Sequence, residues 1–236
     1  MDVLIEIIEF IGIVSFSISG AIVAIDKEMD FVGVVIMSVL TSFGGGIMRD
    51  LVIGRTPVFF TSMPIEIAVS VMVAVMVFLF AKICERWYLK NEENIKRINN
   101  YIDALGLGAF AVSGVKICID SYAEKGAFMA IMMGCFTAVG GGAIRDVCLR
   151  DVPFIFRKRI YAAAALAGSS LYYLFSEILL SDGRGGQIIS LVIGVSTVVL
   201  IRVAATVFRL NFPRAIDFSR IEEESKNENE NVEIHS

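Results

Sequence analysis

Charged side chains are scarce in this 236-residue sequence: Asp, Glu, Lys and Arg supply 19% of it, hydrophobic residues supply 56%, and the mean hydropathy is +0.72. A soluble domain of that length needs more polar surface than such a composition provides. The formal net charge is −4. With no basic field, nucleic acid is excluded as a partner. Histidine is nearly absent, His235 being the sole example. The four cysteines, Cys84, Cys118, Cys135 and Cys148, form no C-x-x-C pair. They therefore lack redox or metal-ligand spacing and read as small hydrophobes. The N-terminus carries Asp2, Glu6 and Glu9 where a signal peptide would need basic residues, so the first apolar run should persist as a helix. No nucleophile–base pair, carboxylate dyad, metal cluster or phosphate loop appears in the sequence, and no G-K-[ST] follows either glycine triplet. The reading is of a protein that is not an enzyme and needs no cofactor.

What the sequence has in quantity is long apolar runs. Crossing a bilayer takes about 20 apolar residues, because roughly 30 Å of hydrocarbon is spanned at 1.5 Å per residue. Seven segments qualify: 4–25, 31–49, 64–84, 101–119, 126–145, 159–180 and 187–208. The fold class is all-α integral membrane, with seven transmembrane helices arranged as two inverted three-helix repeats plus one extra helix. The organisation expected is a first repeat over 1–86, a cytoplasmic linker over 87–100 and a second repeat over 101–180. The seventh helix follows over 181–208, then a polar, disordered cytoplasmic tail over 209–236.

The repeat is visible residue by residue. Phe16-Ser17-Ile18-Ser19-Gly20 matches Phe110-Ala111-Val112-Ser113-Gly114 at an offset of 94. Thr41 to Asp50, which contains Gly44-Gly45-Gly46 and Arg49-Asp50, matches Thr137 to Asp146 at an offset of 96. Pro57-Val58-Phe59-Phe60 matches Pro153-Phe154-Ile155-Phe156 at the same offset. Each unit has three spans, an odd number, so the second unit enters the membrane from the opposite face. Inverted units of this kind are typical of transport proteins. Of the 21 basic residues, 5 (Arg49, Arg55, Lys116, Lys125 and Arg184) fall on the side of the N-terminus and 16 on the other. Basic residues stay in the cytoplasm, which places the N-terminus outside and the C-terminus inside.

The glycine triplets invite two readings. Small residues let helices approach closely, but three consecutive glycines each lose about 1 kcal/mol of helix propensity relative to Ala. That cost favours a break in helices 2 and 5 that exposes backbone to a water-filled path. Arg49 and Arg145 must pair, snorkel or face water beside that path. Neighbours on a helix point about 100° apart, so Arg49 and Asp50, or Arg145 and Asp146, are not expected to face each other. Asp50 and Asp146 then either cap the helix ends or act as charge partners in gating. Lys116 has Ile22 as its counterpart and lies near the outer end of helix 4, where snorkelling is easy; it is a further gating candidate. Arg202 and Glu177 read as surface anchors, again by snorkelling. Thr41, Ser42 and Thr137 either bond back to helix carbonyls or line the path, and Ser19-Gly20 and Ser113-Gly114 read as packing notches.

The twin G-G-G-x-x-R-D blocks, each followed by Pro-x-x-Phe, and the three-plus-three-plus-one layout resemble the prokaryotic trimeric intracellular cation (TRIC) channels, a group that includes glycine-transporter-like bacterial members. The resemblance covers residues 4–208. It implies a homotrimer in the plasma membrane with one pore inside each protomer, lined by helices 2 and 5 and passing K⁺ or Na⁺. Carried over residue by residue, the pathway comprises Gly44, Gly45, Gly46 and Arg49, with Gly140, Gly141, Gly142 and Arg145. The Lys-Glu-Val signature of the animal members is not present; Val115-Lys116-Ile117-Cys118 stands in helix 4. No metal site is expected beyond transient K⁺ or Na⁺. A carrier for a small zwitterion such as glycine is the alternative, its carboxylate held by helix N-termini or by Arg49 or Arg145.

Overall fold

The computed structural model describes residues 3–58, 64–121, 126–157, 160–179 and 183–208. Among the described residues, seven helices are long and apolar enough to cross a membrane. They are α1 (Val3–Asp26), α2 (Phe31–Val52), α3 (Pro64–Ile83), α4 (Glu92–Ser121), α5 (Gly126–Cys148), α6 (Ile160–Tyr173, continuing as a π-helical stretch Leu174–Leu179) and α7 (Gly183–Val207). Each expected span is occupied by one of them, and no strand occurs among the described residues. The tail over 209–236 and Lys125 lie outside the described residues.

Local chemistry sets the ends of these helices. Asp30, with extended backbone, caps α2 by accepting from the Gly33 amide at 2.7 Å, which satisfies one of the orphan donors of the first turn. At its other end the Gly54 amide bonds Leu51 O and the Arg55 amide bonds Asp50 O, with Gly54 at φ +76°. This is the paired closure of a left-handed C-terminal cap. The second repeat closes α5 with the same pair of bonds, Arg150 to Val147 O and Asp151 to Asp146 O. There an arginine occupies the left-handed position, at φ 56°.

The segment 87–100 is largely helical. A short helix spans Glu85–Lys90, and α4 begins at Glu92, well before the apolar run. No Gly or Pro interrupts 85–105, and a Glu92–Lys96 ion pair four residues apart supports the early turns. Tyr88 donates to Asp26 Oδ1 at 3.3 Å and ties the short helix to the end of α1. Burial and the neighbouring Asp26 carboxylate push the Tyr88 phenol above its ordinary range.

α1, α2, α4 and α5 form the centre of the molecule. α3 packs on α1 and α2, whereas α6 packs on α4 and α5. α7 adds to the second half alone, against α4 and α6. Large apolar side chains such as Ile65, Met72, Ile83, Leu105 and Phe128 point outward, as lipid-facing surfaces require.

The helices are unbroken where a break was expected. α2 and α5 run as continuous α-helix through Gly44–Gly46 and Gly140–Gly142. The reason lies in the packing between them. A methyl group on Gly45 would run into the Thr137 carbonyl oxygen, and one on Gly141 would run into the Thr41 carbonyl oxygen. The two glycines are repeat counterparts, and each makes room for the other helix's backbone. Close contact at the crossing offsets the lost helix propensity, so Gly45 and Gly141 fit the close-packing reading.

Candidate functional site

Arg49 and Arg145 sit four residues beyond the crossing glycines, about 6 Å along each helix at 1.5 Å per residue. Successive spans alternate in direction. The two arginines therefore lie on opposite sides of the crossing, Arg49 toward the face that carries the N-terminus.

The first cluster surrounds Arg49. Its Nε donates to Asp50 Oδ1 at 2.9 Å, and its Nη2 approaches the same oxygen at 2.9 Å. Its Nη1 reaches Glu9 Oε1 of α1 at 3.5 Å. Asp50 Oδ2 accepts from the Val58 amide at 3.0 Å and so holds the chain that leaves α2. All three charged residues are buried. They line a pocket of about 30 Å³ together with Ser42, Gly46 and Phe110.

The second cluster repeats this plan around Arg145. Its Nε donates to Asp146 Oδ1 at 2.9 Å, and its Nη2 lies 2.8 Å from that oxygen. Its Nη1 donates to Ser19 Oγ at 3.1 Å and stands 3.8 Å from Asp103 Oδ1. Asp103 is the counterpart of Glu9, at the offset of 94. Here the symmetry ends. Arg202 of α7 reaches Asp103 Oδ2 at 3.5 Å, and its guanidinium lies over the Tyr161 ring at 4.7 Å from the centroid. All of these side chains are buried.

Buried charges survive in a membrane interior only when paired, and every arginine here meets a carboxylate. The neighbouring Arg and Asp of each block do face each other, contrary to the 100° expectation. A long guanidinium deprived of water folds back onto the nearest carboxylate, and here that carboxylate is next in the chain. Arg202 is likewise no surface anchor: it is 3% exposed. Glu177 is exposed, as expected.

Between the clusters α2 and α5 approach closely. Phe16 and Phe110, another pair of counterparts, meet with ring centroids 5.1 Å apart beside the crossing. Thr41 Oγ1 donates to Met37 O at 2.6 Å and Thr137 Oγ1 to Met133 O at 2.7 Å, so both hydroxyls are spent within their own helices. Ser42 bonds Ser38 O at 2.8 Å and joins Ser17 and Ser70 in a hydroxyl group linking α1, α2 and α3. Lys116 stands apart from all this, paired with Asp120 at 2.7 Å. Among the described residues no group of three or more His, Cys, Asp or Glu side chains converges as a metal would require.

Glu9, Asp103, Tyr161 and Arg202 escape a motif-based reading of the sequence, and Ser19, read as a packing notch, proves to be a partner of Arg145. Glu9 and Asp103 carry a signal all the same, since they are acidic residues inside apolar spans and in register with the repeat. Arg202 has no such signal, because α7 belongs to neither unit.

The family model described as glycine transporter matches the chain twice, over residues 6–82 and 100–177, one match on each repeat. The inner membrane protein YadS of Escherichia coli K12 is 33% identical over 213 residues, covering 87% of this chain and 93% of YadS. Among solved structures, the TRIC channel orthologue of Rhodobacter sphaeroides is 34% identical, with a TM-score of 0.75 over 88% of this chain and 99% of that one. A second prokaryotic TRIC channel gives 30% identity and a TM-score of 0.76 over 90% of this chain and 100% of that one. The chain belongs to the prokaryotic TRIC family. It is accordingly a multi-pass membrane protein with the TRIC fold, and the duplicated match agrees with the symmetry of its two clusters.

Proposed function

We propose that this TRIC family member is a monovalent-cation channel for K⁺ and Na⁺, working as a homotrimer in the plasma membrane with one path through each protomer. The path runs between α2 and α5, past Arg49, Gly44–Gly46, Gly140–Gly142 and Arg145. The N-terminus is outside, in keeping with the 16-to-5 distribution of basic residues. The observation that carries the reading is the first cluster, where two carboxylates, Glu9 and Asp50, face one guanidinium beside a small pocket. With every group ionised its formal charge is −1, which attracts a cation and repels an anion. The arginines do not bar cations, because each is neutralised by the aspartate next to it. Opening consists of two intact helices parting at Gly45 and Gly141, not of a break within either helix. The Thr41 and Thr137 carbonyls, still bonded within their own helices, then turn their second lone pairs to the path and replace part of an ion's hydration shell. Likeness to TRIC cation channels supports the same reading.

The test is purified protein in planar bilayers under a KCl gradient. Discrete current steps that reverse toward the K⁺ potential are expected. Absence of steps together with saturable glycine uptake into liposomes would overturn the channel in favour of the zwitterion carrier. A reporter fused after Ser236 and active only outside the cytoplasm is expected to stay silent.

A further inference from the structure

We infer that Arg202, supplied by the unduplicated helix α7, sets the ion preference of the second mouth of the path by cancelling the charge its repeat symmetry would otherwise give it. The inference rests on the channel reading above. The repeat alone would build two equal clusters: Glu9, Arg49 and Asp50 in one half, and Asp103, Arg145 and Asp146 in the other. Each would carry a formal charge of −1. Arg202 brings the second to zero through its contact with Asp103.

Arg202 is also held less firmly than Arg145, the other guanidinium of its cluster. Arg145 has partners at 2.8, 2.9 and 3.1 Å. Arg202 reaches Asp103 at 3.5 Å and rests on the Tyr161 ring, and its Nε has no hydrogen-bond partner among the described residues. The Tyr161 hydroxyl, buried beside it, likewise has none among them. α3, which holds the place of α6 in the first half, contains no tyrosine to support such a group. Arg202 and its aromatic rest are therefore both peculiar to the second half. A purely structural ion pair would be expected to close its donors on the carboxylate. Here the guanidinium Nε is left without a hydrogen-bond partner among the described residues.

The experiment measures reversal potential and single-channel conductance in a KCl gradient, using the full-length protein and variants with wild-type oligomer size. Arg202→Gln leaves the second cluster at −1 and is expected to raise the K⁺-to-Cl⁻ permeability ratio by about two orders of magnitude, because one charge acting over roughly 10 Å at an effective dielectric near 20 favours K⁺ and disfavours Cl⁻ by about tenfold each. Arg202→Lys keeps the charge and the wild-type ratio. Arg202→Gln combined with Asp103→Asn returns the cluster to zero and restores the wild-type ratio, which a merely structural role would not do. Should Arg202→Gln alone fail to fold, Asp103→Asn takes the cluster to +1 and is expected to lower the ratio. Wild-type channels with an unchanged ratio in Arg202→Gln, or a double variant that stays as far from wild type as the single one, would overturn the inference and leave the channel reading standing. No current from the wild type would overturn both.

Discussion

The two halves of this molecule share a backbone plan but not a charge balance. In the first half, Glu9 and Asp50 share the single guanidinium of Arg49. In the second, Arg145 meets Asp103 and Asp146, and Arg202 adds a second guanidinium on Asp103. Duplication reproduces whatever a three-helix unit encodes: the helix crossing, the Arg–Asp pair, the aromatic contact and the left-handed cap. It cannot reproduce what a seventh helix adds to one side. The difference teaches that a symmetric scaffold can carry an asymmetric electrostatic profile at the expense of one extra helix.

The largest expected effect breaks the comparison at the arginines. Arg49→Ala strands two buried carboxylates with no cation, and is expected to cost about 3–5 kcal/mol, the range for breaking a buried pair. Arg145→Ala leaves Arg202 in contact with Asp103 and should cost distinctly less. Thermal unfolding in detergent, compared between the two variants, checks the order; equal losses would show that Arg202 does not compensate.

Next come the crossing glycines, where the halves should behave alike. Gly45→Ala and Gly141→Ala each push a methyl group against the partner helix's carbonyl oxygen. Overpacking of that kind costs about 1–3 kcal/mol, and the same loss is expected for both in the same unfolding assay. The third glycines separate the halves again. A methyl on Gly46 finds open space, with Arg49 Nη2 at 3.8 Å, whereas one on Gly142 meets the Tyr161 hydroxyl at 3.0 Å. Gly46→Ala is expected to be neutral or to stabilise by up to about 1 kcal/mol through helix propensity, and Gly142→Ala to destabilise.

The smallest effect lies at the helix ends. Gly54 and Arg150 occupy the same left-handed position, which costs a residue with a Cβ about 1–2 kcal/mol. Arg150→Gly should therefore stabilise the protein slightly, and Gly54→Ala should destabilise it by a similar amount.

Much of this was legible in the sequence. Hydropathy placed seven spans, because a bilayer imposes length and apolarity on each segment independently of its neighbours. The repeat exposed the inversion, the crossing glycines and the Arg–Asp blocks, since all of these recur in register. The broken helices were not borne out. Propensity weighs these glycines against water, but Gly45 lies against the backbone of α5 at Thr137, a residue 92 positions away that no local reading of the sequence supplies. Arg202 was misread for a related reason. Its position near one end of an apolar run is what a snorkelling anchor shows, and only the packing of α7 on α4 turns it inward to Asp103. Polar partners chosen across helices leave no local trace unless the repeat copies them, as it does for Glu9 and Asp103.

Selection of cations by the excess carboxylate of the first cluster, with both clusters flanking the ion path, is the proposed basis of function. Its most direct test is the reversal potential of single channels in a KCl gradient, compared between the wild type and Glu9→Gln. Neutralising Glu9 removes the formal charge of −1, so the reversal potential is expected to move from the K⁺ value toward zero while folding and oligomer size are kept. A folded Glu9→Gln channel with an unchanged reversal potential would contradict the account.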